Sequence, residues 1–301
     1  MSSHPLEAVL GPPIDDASEG IQNSLGMKST RQTFYCFSQS IPSNNLGFVD
    51  SKTHALEVGI AGRDYTIRQS PGLLNSRREE GTTGAVLWKI TPLIAAWLAS
   101  TPPLLADVLH QDAIVVELGC GVAGLIGLVL ARSVQCYILT DLDYVLKHVK
   151  ENIAANAATV GNKQKATKKK GGQKETAADH VLRMLPLDWE RDNARNLETV
   201  MPAGSAIDLL LLCDCVYNEY LVTALVQTCA DACRLGSSRP KVTVVLIAQQ
   251  LRVDAVFELF LDSLMREFNV WRVPDAHISA ELRPGSGYAV HLAVLKAADA
   301  D

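Results

Sequence analysis

The stretch "VVELGCGVAG" limits what this chain can fold into more than any other segment. It reads as a buried strand that enters Gly119, Gly121 and Gly124 in G-x-G-x-x-G spacing and continues into the apolar helical segment "VAGLIGLVLARS". Glycine at the first two positions lets the chain turn sharply and lets a ligand approach the backbone closely. Asp141 follows Gly119 by 22 residues, at the end of the next apolar run, "QCYILTD". An acid placed there can hydrogen-bond the ribose hydroxyls of a nucleoside ligand.

The rest of the chain repeats this alternation. After "QCYILTD" the segment "YVLKHVKENIAAN" puts Leu146, Val149 and Ile153 on one helical face. A third strand falls in "HVLRMLPLDW" and a fourth in "IDLLLLCD". A helix over 218–235 follows, with Leu221, Leu225, Cys229 and Cys233 in one stripe. Then come a fifth strand "KVTVVLIAQ", a helix "VDAVFELFLDSLMREF" and two more strands near the C-terminus. Strands separated by helices predict an α/β fold with a mostly parallel sheet covered on both faces. Upstream, "ALEVGIAGRDYTIRQS" alternates around an Ala-Gly-Arg-Asp turn and predicts a hairpin. "GTTGAVLWKITPLIAAWLAS" passes from a Gly/Thr loop into a helix that buries Leu93, Ile94, Trp97 and Leu98.

Two segments fall outside the pattern. Residues 1–45 are rich in Ser, Pro, Asn and Gly and read as a weakly ordered extension ahead of one domain over 46–301. That domain opens with the hairpin and helix of 55–110. A Lys-rich loop is inserted at about 158–180, with six lysines between 163 and 174 and no apolar face. It reads first as a solvated loop; a basic run of this kind is also able to touch RNA or to serve as a nuclear signal, and it is the one segment through which direct RNA contact is left open. The net charge of −5 gives no global signature of a nucleic-acid binder. No apolar run approaches the roughly 18 residues of a membrane span, and the N-terminus lacks the pattern of a secretory signal. Seven scattered cysteines suit reduced thiols inside the cell.

Two nucleoside ligands match a glycine loop followed by an acid: a nicotinamide dinucleotide and S-adenosylmethionine. Glu117, two residues before the first glycine, favours the second. A pyrophosphate at the helix N-terminus would meet another negative charge there, whereas S-adenosylmethionine carries a cationic ammonium and a cationic sulfonium and no phosphate. In "PLDWE", after the third strand, Asp188 is placed to accept from an adenine amino group and Trp189 to stack on the ring. From local pattern alone Trp189 and Trp88 also read as half-buried aromatics.

The end of the fourth strand, "LLLLCDCVYNEY", is unusual. Asp214 and Tyr217 stand at the lip of a core strand, where polar groups need partners. One reading is a substrate-facing pair; the other is an Asp capping the helix that begins near Asn218, with Tyr217 packing beside it. Cys213, Cys215, Cys229 and Cys233 lack the paired spacing of structural zinc, so no metal is expected. No H-E-x-x-H or G-x-S-x-G arrangement points to a hydrolase.

"GTTGAVLWK", "VVELGCGVAGLIGL", "ILTDLDYVLKHVKENIAAN", "LDW" and "CDCVYNEYL", in this order, resemble the seven-strand S-adenosylmethionine-dependent protein-lysine methyltransferases marked by an Asp-x-x-Tyr motif after strand four. The likeness covers about Ala55 to Ala297. It implies a Rossmann-like seven-strand sheet, mostly parallel with an antiparallel C-terminal strand. It also implies S-adenosyl-L-methionine as cofactor, lined by Trp88, Gly119, Cys120, Gly121, Asp141, Trp189 and Cys213, with Asp214 and Tyr217 facing a substrate lysine. Within the group the blocks are similar to fungal enzymes acting on a large-subunit ribosomal protein, which makes such a protein the expected partner. A cytoplasmic monomer is expected, with a nuclear location left open. A methyltransferase of RNA or of a small molecule stays as an alternative, although "DCVY" lacks the prolines common in base methylases. A cofactor-binding module without catalysis is the other alternative.

A carboxylate beside an amine raises the amine's pKa, so Asp214 is a poor candidate for making lysine nucleophilic on its own. Its expected role is to capture the incoming ammonium through a directional hydrogen bond. Tyr217 is expected to wall the channel.

Overall fold

A computed structural model of the chain describes residues 5–14, 47–74, 83–160, 181–236, 242–283 and 285–297. The Lys-rich insertion at 161–180 and most of the N-terminal extension lie outside the described residues. Seven strands form one sheet: β3 (Ile114–Leu118), β4 (Cys136–Asp141), β5 (Leu182–Pro186), β6 (Leu209–Cys213), β7 (Val244–Gln250), β8 (Phe268–Arg272) and β9 (Tyr288–Leu295). Their spatial order is β5-β4-β3-β6-β7-β9-β8, and β9 runs antiparallel to both of its neighbours. The predicted architecture is the one observed.

The central strands are mostly apolar because both of their faces are covered. Along β6, Leu209, Leu211 and Cys213 enter one core and Leu210 and Leu212 the other. The first core receives α2 (Ile90–Ala99), α3 (Leu125–Leu130) and α4 (Asp143–Ala155); the second receives α5 (Val222–Cys233) and α6 (Asp254–Glu267). Of the residues expected to bury along α2, Ile94, Trp97 and Leu98 do so fully and Leu93 only partly.

The predicted hairpin is β1 (Ala55–Ile60) with β2 (Arg63–Arg68). Its turn is shorter than expected. Ala61 and Gly62 both take positive φ, 50° and 73°, and Arg63 already pairs with Ile60. Two left-handed residues match the right-handed twist of the flanking strands.

Two asparagines of α4 and its end fasten this hairpin to the domain. Asn152 accepts from Arg68 N at 2.7 Å and donates to Arg68 O at 2.9 Å; Asn156 treats Thr66 in the same way at 2.9 and 2.8 Å. Spaced one helical turn apart, the two amides pair with the free edge of β2 as a neighbouring strand would. Asn152 also donates to Val122 O, within the glycine loop.

The start of the N-terminal extension is more closely docked than its composition suggests. α1 (Pro5–Leu10) leads to Ile14, whose N–H donates to Val270 O at 2.8 Å, while Trp271 Nε1 donates to Gly11 O at 2.9 Å. A distant edge strand supplies the surface that these few residues lack by themselves.

Candidate functional site

The sheet order reverses at β3: β4 and β5 lie on one side, β6 and β7 on the other. At such a switch point the strand ends splay apart and leave a crevice. Here it is a cleft of about 1130 Å³, lined by residues at the carboxyl ends of β3, β4, β5 and β6. Every residue expected at the site, from Trp88 to Tyr217, lines this one cleft.

The glycine loop forms its floor. Gly119 and Gly121 have φ of 68° and 62°. A Cβ on Gly119 would lie 3.0 Å from Cys215 Sγ and 3.1 Å from Trp189 Cζ2, so a side chain there meets both strain and obstruction. Asp141 braces the loop: Oδ2 accepts from Gly121 N at 2.9 Å and Oδ1 from Leu142 N at 2.8 Å. Burial nevertheless raises its pKa to about 6, against the lowering effect of those two bonds. Glu117 accepts from Tyr137 Oη at 2.7 Å. Burial lifts its pKa to about 8, the Tyr137 bond opposes that, and the charge of Asp141 adds to it. Cys120 and Cys213 are buried thiols, pushed well up by desolvation and neighbouring acids. Thr91 Oγ1 lies 3.8 Å from Cys213 Sγ.

Asp188 organises the turn after β5. Its Oδ1 accepts from Glu190 N at 3.0 Å, its N–H donates to Asp192 Oδ2 at 2.8 Å, and Arg191 Nε lies 3.8 Å from Oδ2. Trp189 is half-buried with its ring edge against Gly119, and its indole N–H is buried without a partner among the described residues. Trp88 packs against Phe48, the ring centres 4.5 Å apart and the planes tilted by 52°, and the two residues form an antiparallel bridge.

Asp214 sits at the lip of β6 with φ 62°, a left-handed conformation that Asp tolerates better than most residues. It caps neither of the segments that follow: Asn218 caps the short 3-10 turn Glu219–Leu221, accepting from Tyr220 N, and α5 starts after Leu221 with no side-chain cap. Nor is its charge open to an incoming ammonium, as expected from sequence. Arg252 Nη1 donates to Oδ1 at 2.8 Å and Arg252 Nη2 to Oδ2 at 2.6 Å, while Gln249 Nε2 and Gln250 N also donate to Oδ1. The Asp214 side chain is 2% exposed, and its charge is matched inside the protein. Tyr217 lines the cleft at 44% exposure, where a chain entering from solvent would meet it.

Arg252, Gln249 and Gln250 were not found from sequence. The signal available was "IAQQLR", polar residues ending an otherwise apolar strand, the same anomaly that marks Asp214. The cleft suits a cationic nucleoside. Glu117, Asp141, Asp188, Glu190 and Asp214 line it against Arg191 and Arg252, and the Arg252 charge is already matched by Asp214. A pyrophosphate would meet this acid-rich lining unfavourably.

The sequence profile described as lysine methyltransferase matches residues 68–266. The chain belongs to the lysine methyltransferase family. It is an S-adenosylmethionine-dependent protein-lysine methyltransferase. Among similar proteins, a ribosomal lysine N-methyltransferase 5 of Lachancea thermotolerans is 27% identical, the match covering 75% of this chain and 83% of that protein. One of Zygosaccharomyces rouxii is 26% identical over 70% of this chain and 74% of that protein. A solved methyltransferase of Pyrococcus furiosus, 11% identical, superposes with a TM-score of 0.41 over 69% of this chain and 84% of that one, too weakly for function to be read across. Among the described residues of the methyltransferase, no helix is long and apolar enough to cross a membrane.

Proposed function

We propose that the methyltransferase modifies a lysine of a large-subunit ribosomal protein in the cytoplasm, acting as a monomer. The observation that carries the reading is the single cleft, in which the glycine loop and Asp141 meet Asp214 and Tyr217. The substrate class is supported by the relatives named ribosomal lysine N-methyltransferase 5, most of whose length the chain matches.

Within the cleft, Gly119 and Gly121 give close access to the backbone, Asp141 is placed for ribose hydroxyls and Glu117 for an ammonium group. Asp188 and Trp189 border the adenine side and Cys120, Cys213 and Trp88 complete the walls. S-adenosylmethionine supplies an electrophilic methyl group when bound. The protein's task is then to align the acceptor nitrogen and exclude water. The entering lysine, as the neutral amine, would take up that methyl group, and the methylammonium formed would lose a proton to water. Tyr217 packs along the aliphatic stem of the entering lysine.

Transfer of radiolabelled methyl into fractionated yeast lysate tests this, run beside Asp214→Ala and Gly119→Arg and with or without RNase. The expected result is an RNase-resistant protein band in the large ribosomal subunit, lost in both variants. Label confined to RNA or to soluble proteins would overturn it.

A further inference from the structure

The Asp214–Arg252 pair bears on a difficulty in any lysine methylation: the amine attacks only when neutral, and a free lysine has a pKa of about 10.4. A bare carboxylate at the acceptor site would raise that value further, by holding the ammonium form. Asp214 is not bare.

We propose that Arg252 is a positioning residue for methyl transfer, which holds Asp214 in place and cancels its charge, so that the substrate amine enters beside a matched ion pair and becomes neutral at lower pH than it would beside the carboxylate alone. The inference rests on lysine being the acceptor and is independent of which protein carries that lysine.

Arg252 is fixed from several directions, as a lasting component of the site must be. Besides its two bonds to Asp214, its Nη2 donates to Gln250 Oε1 at 3.0 Å, and its guanidinium lies 4.6 Å from the centre of the Trp88 ring. Phe48 backs that ring. Gly47 closes down on the assembly: a Cβ there would lie 2.0 Å from Gln250 Oε1 and 3.0 Å from Arg252 Nη2. The end of β7 and the segment 47–49 therefore hold the guanidinium by geometry as well as by charge.

The hydrogen bonds to Asp214 are uneven. Oδ1 takes Arg252 Nη1, Gln249 Nε2 and Gln250 N, whereas Oδ2 takes Arg252 Nη2 alone among the described residues. A carboxylate oxygen has room for a second donor, so Oδ2 is the atom left to orient an amine N–H. The amine would gain direction from that bond without facing an uncompensated anion.

The other titratable groups facing Asp214 offer no substitute cation. Tyr288 on β9 is a phenol held up by burial and by Asp214. Cys213 and Cys215, beside it in sequence, are thiols held up by burial. Glu117, from the end of β3, acts on both thiols as a negative group, and Asp141, from the end of β4, acts on Cys215. Tyr217 lines the same cleft. Arg252 is the cation that the structure sets against Asp214 among the described residues.

The test is the pH dependence of single-turnover methyl transfer, with enzyme in excess over acceptor protein so that the rate reports the bound amine. Wild type is compared with Arg252→Met, Arg252→Lys, Asp214→Asn and the Asp214→Asn/Arg252→Met double variant, each checked for S-adenosylmethionine binding by calorimetry. Arg252→Met should move the rising limb about one pH unit or more upward, giving roughly a tenfold loss near pH 7.5 that closes towards pH 10. Arg252→Lys should keep the limb close to wild type. Asp214→Asn, which leaves the cation alone, should move it downward, and the double variant should bring it back. A uniform loss at every pH in Arg252→Met, or an upward or unmoved limb in Asp214→Asn, would overturn the proposal and leave Arg252 a structural partner. If label enters a non-ribosomal protein, the substrate reading fails, while the limbs of the variants still decide the role of Arg252.

Discussion

The two halves of the cleft handle negative charge in opposite ways. At the β3–β4 end, Glu117 is buried and Asp141 half-buried among neutral donors, a phenol and backbone amides, and both are raised in pKa. At the β6–β7 end, Asp214 is enclosed too but has a guanidinium across both oxygens. Among the described residues the first end has no cation set against these two acids, and it suits one that arrives with the ligand. The second has its cation built in. An acid's place in a site thus depends on who supplies the opposite charge, which its position on a strand does not reveal.

The largest expected effect breaks the first end outright. Gly119→Arg must take up positive φ and pass Cys215 and Trp189, both about 3 Å from the Cβ position. S-adenosylmethionine binding should weaken by at least about 100-fold by calorimetry, since strain and obstruction together exceed roughly 3 kcal/mol. Retained affinity would mean that the ligand does not lie along this loop.

A smaller and subtler effect is expected at Glu117. Because its folded pKa of about 8 lies above the ordinary 4.5, the native protein holds an extra proton between those values. The stability linked to that proton is complete below pH 4.5 and is lost as pH rises through about 8. Glu117→Gln keeps an acceptor for Tyr137 and removes the charge. It should raise ligand-free stability by about 2–4 kcal/mol at pH 8 and by little near pH 4.5, read by denaturant unfolding. Its affinity for S-adenosylmethionine should fall about tenfold. An equal gain at both pH values would contradict the burial account.

The smallest effect sharpens the contrast between the two ends. A cationic ligand beside Glu117 favours the carboxylate, so wild type should release up to about one proton on binding at pH 7, measured as a dependence of binding enthalpy on buffer ionisation. Glu117→Gln should abolish the release, and Asp214→Asn should leave it unchanged. Proton release that followed Asp214 instead would reverse the comparison.

Much of this was legible in the sequence, because it depends on short-range order. A buried strand, three spaced glycines and an acid one strand later define the β3–β4 end within the 28 residues from Ile114 to Asp141. The Asp-x-x-Tyr block located the other end. What makes that end work was not legible, since Arg252 lies 38 residues beyond Asp214 and meets it only through the β6–β7 register that pairs Cys213 with Ala248. Asn152 and Asn156 were hidden differently. They flank the apolar stripe of Leu146, Val149 and Ile153, but spacing along one helix does not show what an amide there would bind, and both are buried against the hairpin. Ile14 belongs to a weakly patterned stretch and is buried because strand β8 reaches it.

The asparagine clasp on β2 has a consequence for the chain's behaviour in a crowded cell. The outer rim of a two-stranded ribbon is a row of unspent donors and acceptors, ready to recruit a strand from another molecule and start an aggregate. Two carboxamides one helical turn apart occupy that row from within the same chain. The methyltransferase thus meets its neighbours with that rim already sealed, and colliding copies find no place on it to begin a shared sheet.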